Sequence, residues 1–172
     1  MPTVHMLCGP ICSGKSTWQQ DKISGRARVS LDDLVDEYAA ERGLTYNEVW
    51  SPSIMPPLEA RMMDNLSLFI SEGRDIVWDQ TNLSPKIREG KMKAFDDKPY
   101  LKVGVFFVDV TKDLIAERNV RPGKIIPDKV VDSMLANYVI PEHCEPWFDM
   151  VFYVSAVNGN LKTIKYNEHS KY

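Results

Sequence analysis

The densest chemistry in this sequence lies in Gly9-Pro10-Ile11-Cys12-Ser13-Gly14-Lys15-Ser16, which matches the spacing G-x-x-x-x-G-K-[ST] at every fixed position. Gly9 and Gly14 let the backbone curl tightly enough for N–H groups, those of Cys12 and Ser13 among them, to converge on a phosphate. A helix starting at Ser16-Thr17 would aim its positive end at the same point. The Lys15 ammonium can then reach the β- and γ-phosphates of a nucleoside triphosphate, and the Ser16 hydroxyl can ligate Mg²⁺. A chance match in a Gly/Ser turn is the bland alternative. The apolar run VHMLC before it (residues 4–8) and the helical pattern after it argue against that.

Three further groups have types suited to phosphoryl transfer. Asp32 and Asp33 follow the short apolar segment RARVS. A carboxylate there can take the proton of an attacking hydroxyl, and Asp32, nearer the strand end, is the candidate general base. Both aspartates would also favour the first turn of a helix for purely structural reasons. Asp79 ends DIVWD and can meet Mg²⁺ through a water; otherwise it is simply a strand-end acid. Arg118, Arg121 and Lys124 surround the Pro-Gly loop RPGKIIP, where a lid could carry arginine onto a transferring phosphate. Capping of a helix C-terminus is the ordinary role for Arg118.

The elements that must position these groups alternate regularly. Strands are expected at 4–8, 26–30, 75–79, 101–109 and 150–154, with helices from Ser16 toward Ile23, over residues 31–43, 58–71 and 84–95, from Thr111 to about Asn119, and from Pro127 through Tyr138. Pro52, Pro56 and Pro57 mark a connection, and the tail after Asn158-Gly159 is either an edge hairpin or loose. This alternation predicts an α/β fold with a mostly parallel sheet. Ligands in such sheets bind beyond the carboxyl ends of the strands, where the loop after Cys8, the turn after Ser30 and Asp79 would converge.

The 172 residues suffice for a single domain, with a core over about 3–154. A content of 44% hydrophobic and 26% charged residues is that of a globular protein. No apolar run approaches the roughly 20 residues of a membrane span, and MPTVHMLCGP lacks the basic start of a signal peptide. Cys8, Cys12 and Cys144 read as free thiols in a reducing cytoplasm. A net charge of −3 argues against broad electrostatic binding of nucleic acid. Residues 32–48 are strongly acidic, whereas 86–102 are basic and read as a solvated helix face or a phosphate track.

The segments GPICSGKSTW, VSLDD, WDQTNLSP and VDVTKDLIAERNVRPGKIIPDKVVDSM together resemble the 5′-kinase module of T-even bacteriophage polynucleotide kinase and related small P-loop kinases. The resemblance runs from about Val4 to Tyr138. It implies a three-layer P-loop kinase with an arginine-bearing lid, using ATP and Mg²⁺, in the cytoplasm of an infected host if phage-encoded. It further implies Asp32 as base on a 5′-hydroxyl, Arg121 on the transferring phosphate and Arg118 near the nucleotide. Gln80, Thr81 and Asn82 would line the acceptor channel, with Asp33 beside them.

Two departures concern the acceptor half. An arginine expected three residues after the base is Val35, and an acid expected at position 80 is Gln80. The relative's 3′-phosphatase domain has no counterpart in these residues. The first expectation is a DNA or RNA 5′-hydroxyl kinase. Its rival phosphorylates a hydroxymethyl group on a modified base such as 5-hydroxymethyluracil, with Trp50, Trp78 or Tyr46 as stacking surfaces for a flipped base. A nucleoside or small-metabolite kinase, and a nucleotide-binding regulator without turnover, complete the set.

Overall fold

The computed structural model describes residues 1–168. Strands β1 (Thr3–Cys8), β2 (Ala27–Val29), β3 (Ile76–Asp79), β4 (Leu101–Val108), β5 (Met150–Ser155) and β6 (Leu161–Tyr166) form one sheet ordered β2-β3-β1-β4-β5-β6. The first five are mutually parallel, which requires a crossover between successive strands. β6 returns antiparallel to β5, so the tail forms the edge hairpin that was one of its two expected states. Residues 169–172 of that tail lie outside the described residues.

The crossovers carry helices α1 (Lys15–Lys22), α2 (Leu31–Arg42), α3 (Tyr46–Val49), α4 (Met55–Ser71), α5 (Pro85–Met92), α6 (Lys112–Arg118) and α7 (Asp128–Asn137). Alternate strand residues feed two cores. Val4, Met6, Ile76, Trp78 and Phe106 pack with Leu34, Val35, Leu58 and Leu66 of α2 and α4. Leu7, Val77, Val105, Phe107 and Val154 pack on the other face with Trp18 of α1. Both faces are covered, as a parallel sheet requires.

Two elements differ from expectation. α4 starts at Met55, three residues early, because Pro56 and Pro57 fall in a first turn where a missing N–H costs nothing. α3 interrupts what reads as a plain connection. Its signal is a capping box, in which the backbone N–H of Thr45 donates to Glu48 Oε2 at 2.7 Å, in a helix too short to show periodicity.

The basic stretch 86–102 is not a uniformly solvated face. Arg88 is fully buried, pairs with Glu145 through two contacts of 2.8 and 2.5 Å, and donates to the carbonyls of Asn82, Leu83 and Val139. The guanidinium thereby ties the loop after β3 to the chain entering β5. Among the three tryptophan and tyrosine candidates for stacking, Trp78 and Tyr46 are buried in the core and Trp50 alone is half-exposed.

At the opposite end of the sheet, His5 Nδ1 accepts from Arg26 Nη1 at 2.6 Å. Burial first, then the Arg26 charge, lowers the pKa of this histidine to about 3. The folded state therefore holds His5 neutral, whereas the unfolded chain protonates it near its ordinary value of 6.5. Its contribution is complete above that value and is lost as pH falls from about 6.5 toward about 3, at up to about 1.4 kcal/mol per pH unit. Urea unfolding of wild type and His5→Gln over that range should show a steeper acid loss in wild type. Parallel curves would remove His5 as the cause.

Candidate active site

The phosphate curl begins where β1 ends, and three contacts from two separate segments hold that end. Asn82 Nδ2 donates to the carbonyl of Leu7 at 2.7 Å, Tyr138 Oη to that of Cys8 at 2.7 Å, and the N–H of Gly9 to the carbonyl of Thr81 at 2.8 Å. The curl itself requires positive φ at Cys12 (57°) and Gly14 (95°). Only the first is unusual for a residue with a side chain. Gly14 caps α1 without any side-chain hydrogen bond, so the first N–H groups of this helix remain free for an anion.

Lys15 Nζ donates across the curl to the carbonyls of Gly9 (2.9 Å) and Pro10 (2.6 Å). Burial lowers its pKa, against which the charges of Asp79 and Asp32 act. Arg118 braces the same loop from outside. Its Nη1 donates to Cys12 O at 3.1 Å and Ala156 O at 2.9 Å, so it joins the curl to the segment after β5.

The curl opens into a cleft of about 1570 Å³. That exceeds the roughly 300–1,000 Å³ usual for one small ligand, and leaves room for two substrates. Cys12 through Thr17, Asp32, Asp79, Gln80, Thr81, Arg118 and Arg121 all line it, together with Tyr46, Trp50 and Lys124. Asp33 and Asn82 do not. Asp33 pairs with Arg28 at 2.9 Å, and Asn82 is buried beneath the loop as a support for β1. Burial raises the Asp33 pKa, with the Arg28 charge opposing.

Asp32 projects from the start of α2, whose N-cap Ser30 accepts from the N–H of Asp33 at 3.3 Å. Its Oδ1 accepts from Tyr46 Oη at 2.6 Å and its Oδ2 from Lys124 Nζ at 3.4 Å. Burial and the nearby Asp32 charge raise the Tyr46 pKa, which keeps that hydroxyl protonated as a donor. The loop between α6 and α7 is docked rather than open. Asn47 donates its backbone N–H to Gly123 O and its amide to Ile125 O, each at 3.2 Å, and Arg121 forms two contacts with Asp36 of 3.1 and 3.2 Å. Arg121 lines the cleft but rests on α2, not on the phosphate curl.

The sequence contains a cation that motif spacing does not reveal. Arg28, at the centre of β2, donates through Nη2 to Asp79 Oδ2 at 2.6 Å and to Ser16 Oγ at 3.4 Å. One nitrogen reaching both oxygens shows that Ser16 and Asp79 converge on a single point, and hard oxygen donors of this kind suit Mg²⁺. The expected pair therefore fits a divalent ion, with the remaining positions left to water and phosphate oxygens.

An AAA domain family model, AAA_33, matches residues 4–141. The chain belongs to this family. No curated protein matches it. Among solved structures, this AAA-family chain is similar to a gluconokinase from Sinorhizobium meliloti 1021 (16% identity, 91% of this chain and 84% of that one, TM-score 0.57). It is also similar to a structure from the PezAT toxin–antitoxin system of Streptococcus pneumoniae (13% identity, 95% and 71%, TM-score 0.65). A shikimate kinase from Aquifex aeolicus vf5 shares 15% identity over 90% of this chain and 86% of that one, with TM-score 0.50. The fold is that of the small P-loop kinases. No described helix is long and apolar enough to cross a membrane.

Replacing Lys15 by Met removes the ammonium that reaches across the curl. ATP affinity measured by calorimetry should fall by about tenfold or more, the scale of losing a charge-assisted contact. Unchanged affinity would place the nucleotide elsewhere.

Proposed function

We propose that this protein is an ATP-dependent kinase that phosphorylates a hydroxyl of a small acceptor. The observation that carries this reading is the presence of the Asp32 carboxylate in the same cleft as the phosphate curl, oriented by Tyr46 and Lys124. Binding alone would have no use for such a carboxylate. ATP seated with its phosphates on the curl would direct the γ-phosphoryl group into the cleft. Mg²⁺ bound there would draw charge from the phosphate oxygens. Asp32 accepts the proton as the acceptor oxygen attacks, and Lys15 and Arg121 balance the developing negative charge.

Electrostatics favour a small acceptor over a polyanion. Outside the cleft lining, helices α2 and α3 add Asp33, Asp36, Glu37 and Glu48 to a chain of net charge −3, a balance that disfavours a string of phosphates. The compensating bases of 86–102 are partly spent inside the protein, with Arg88 on Glu145 and Lys91 on Gln80 and Asn82. Val35, where an arginine for a 5′-phosphate would stand, is fully buried. A nucleic-acid hydroxyl, at a 5′ end or on a hydroxymethylated base, is the second reading. It is favoured by the WDQTNLSP and lid segments and by the half-exposed Trp50 in the cleft.

Transfer of label from γ-labelled ATP separates these readings. The acceptors are a mixture of free nucleosides and sugar acids, a 5′-hydroxyl DNA oligonucleotide, its RNA equivalent, and an end-blocked duplex containing 5-hydroxymethyluracil. Label in the small molecules is expected; label confined to the polymers would replace the first reading with the second. Asp32→Asn should lower kcat by about 10²–10⁴ with ATP affinity nearly intact. Near-normal turnover would mean another base. Arg121→Ala should cost about 10² in kcat, and a change limited to KM would make Arg121 a binding residue only.

A further inference from the structure

The acceptor side of the cleft contains an amide whose orientation is set by its neighbours. Gln80 follows β3 and lines the cleft beside Asp79 and Thr81. Its Oε1 accepts from Trp78 Nε1 at 3.0 Å and from Lys91 Nζ at 2.5 Å. An indole N–H and a lysine ammonium are donors only, so the amide cannot be turned over without setting donor against donor. Lys91 is fixed in turn by Asn82 Oδ1 at 2.6 Å and lies over the Trp78 ring, 5.3 Å from its centre. The NH₂ half of Gln80 must therefore face away from this cluster. It has no partner among the described residues, and it is not among their fully buried orphan atoms, which are Ser13 Oγ and Arg28 Nε. That nitrogen is thus not sealed off, and it belongs to a residue that lines the cleft.

The same cleft has an aromatic wall next to the base. Trp50 lines it with 49% of its surface exposed, its ring 5.8 Å from that of Tyr46, the residue that holds Asp32. A half-exposed indole beside a polar catalytic group offers a face that a planar ligand would cover. A donor-only amide selects ligand atoms with lone pairs, and leaves its own donors unpaired against a ligand that has none.

Resting on the kinase reading above, we infer that the acceptor is an alcohol borne by a planar, carbonyl-bearing ring of the pyrimidine-nucleoside class. Gln80 Nε2 donates to the ring oxygen and Trp50 covers the ring face. Gln80 and Trp50 are specificity residues, and Lys91 positions Gln80. No atom of the transferred phosphoryl group depends on them. The base can come from a free nucleoside or from a strand, and the chemistry recognised is the same.

The test measures acceptor KM and kcat, together with ATP affinity, for wild type, Gln80→Leu, Trp50→Ala, Trp50→Phe and Lys91→Met, after circular dichroism has verified folding. The probes are thymidine, an end-blocked duplex containing 5-hydroxymethyluracil, and gluconate as a flexible acceptor without a planar ring. Wild type should label thymidine or the duplex in preference to gluconate, the two arms identifying the source of the base. Gln80→Leu and Trp50→Ala should each raise the acceptor KM by about tenfold or more, as expected when a site built for a polar ligand loses its partner. Trp50→Phe should recover most of that loss, and ATP affinity should change less than about twofold in the Gln80 and Trp50 variants. Lys91→Met, which frees the amide to turn but also releases Asn82, should raise acceptor KM, and is read only on that quantity. Preference for gluconate, or an acceptor KM in Gln80→Leu equal to wild type, overturns the inference while leaving the kinase reading intact. ATP binding with no labelled product from any acceptor, including those of the wider panel, removes both.

Discussion

Everything at this site depends on the carboxyl end of β1 staying where it is. A parallel strand stops being hydrogen-bonded where its neighbours stop, yet this one must continue straight into a curl with left-handed residues at positions 12 and 14. The ladder cannot hold that transition. Side chains do so instead, with Asn82 on Leu7 O and Tyr138 on both Cys8 O and Phe107 O. The partners come from the loop after β3 and the end of α7, remote in sequence, and each is itself anchored. Asn82 is locked by Lys91, and the carbonyl of residue 82 by the buried Arg88. Rigidity is thus passed inward from an ion pair that never meets a ligand. A buried pair of this sort contributes little net stability against an apolar replacement, but breaking one partner costs roughly 3–5 kcal/mol. Its value here is positional.

The phosphate curl was legible in the sequence because its chemistry is contiguous: eight neighbouring residues carry the whole signal, and flanking periodicity supplies the context. The sheet was legible for a similar reason, since strands buried on both faces read as apolar runs between helices. Pairings across the chain were not legible. Arg28 meets Asp79 over 51 residues and Arg88 meets Glu145 over 57, and nothing local distinguishes these arginines from solvated ones. The basic stretch 86–102 was misread in part for that reason. α3 was missed although its signal was present, because Thr45 and Glu48 form a capping box without the length that makes a helix periodic.

Asn82 illustrates the limit of reading roles from a motif. The family resemblance implies a place for it in the acceptor channel, with Gln80 and Thr81. Its positive φ of 48° turns the side chain inward, and the burial that follows makes it part of the scaffold. Gln80 and Thr81, the two residues just before it, remain in the cleft. Backbone conformation at one residue decided which of three similar side chains could meet a ligand.

The cations around the cleft rest on different partners, and the strength of each attachment bears on which can move. Arg121 pairs with Asp36 where its own side chain is 62% exposed, and such surface pairs are worth about 0–1 kcal/mol. Exchanging Asp36 for a phosphate therefore costs little, as a lid arginine requires. Arg28 is different: it is half-buried, it holds Asp33 and Asp79 at once, and Asp79 is nearly inaccessible. Removing that guanidinium would leave two adjacent carboxylates with no fixed counter-charge. Among the described residues the hydrogen bonds of Lys15 go to two neutral carbonyls while burial weakens its charged form, so a triphosphate would offer it more than it gives up. The arrangement divides the cations by role. Lys15 and Arg121 rest on contacts that a phosphate would replace under the proposed reaction, and Arg28 is the fixed charge that holds Asp33 and Asp79 together.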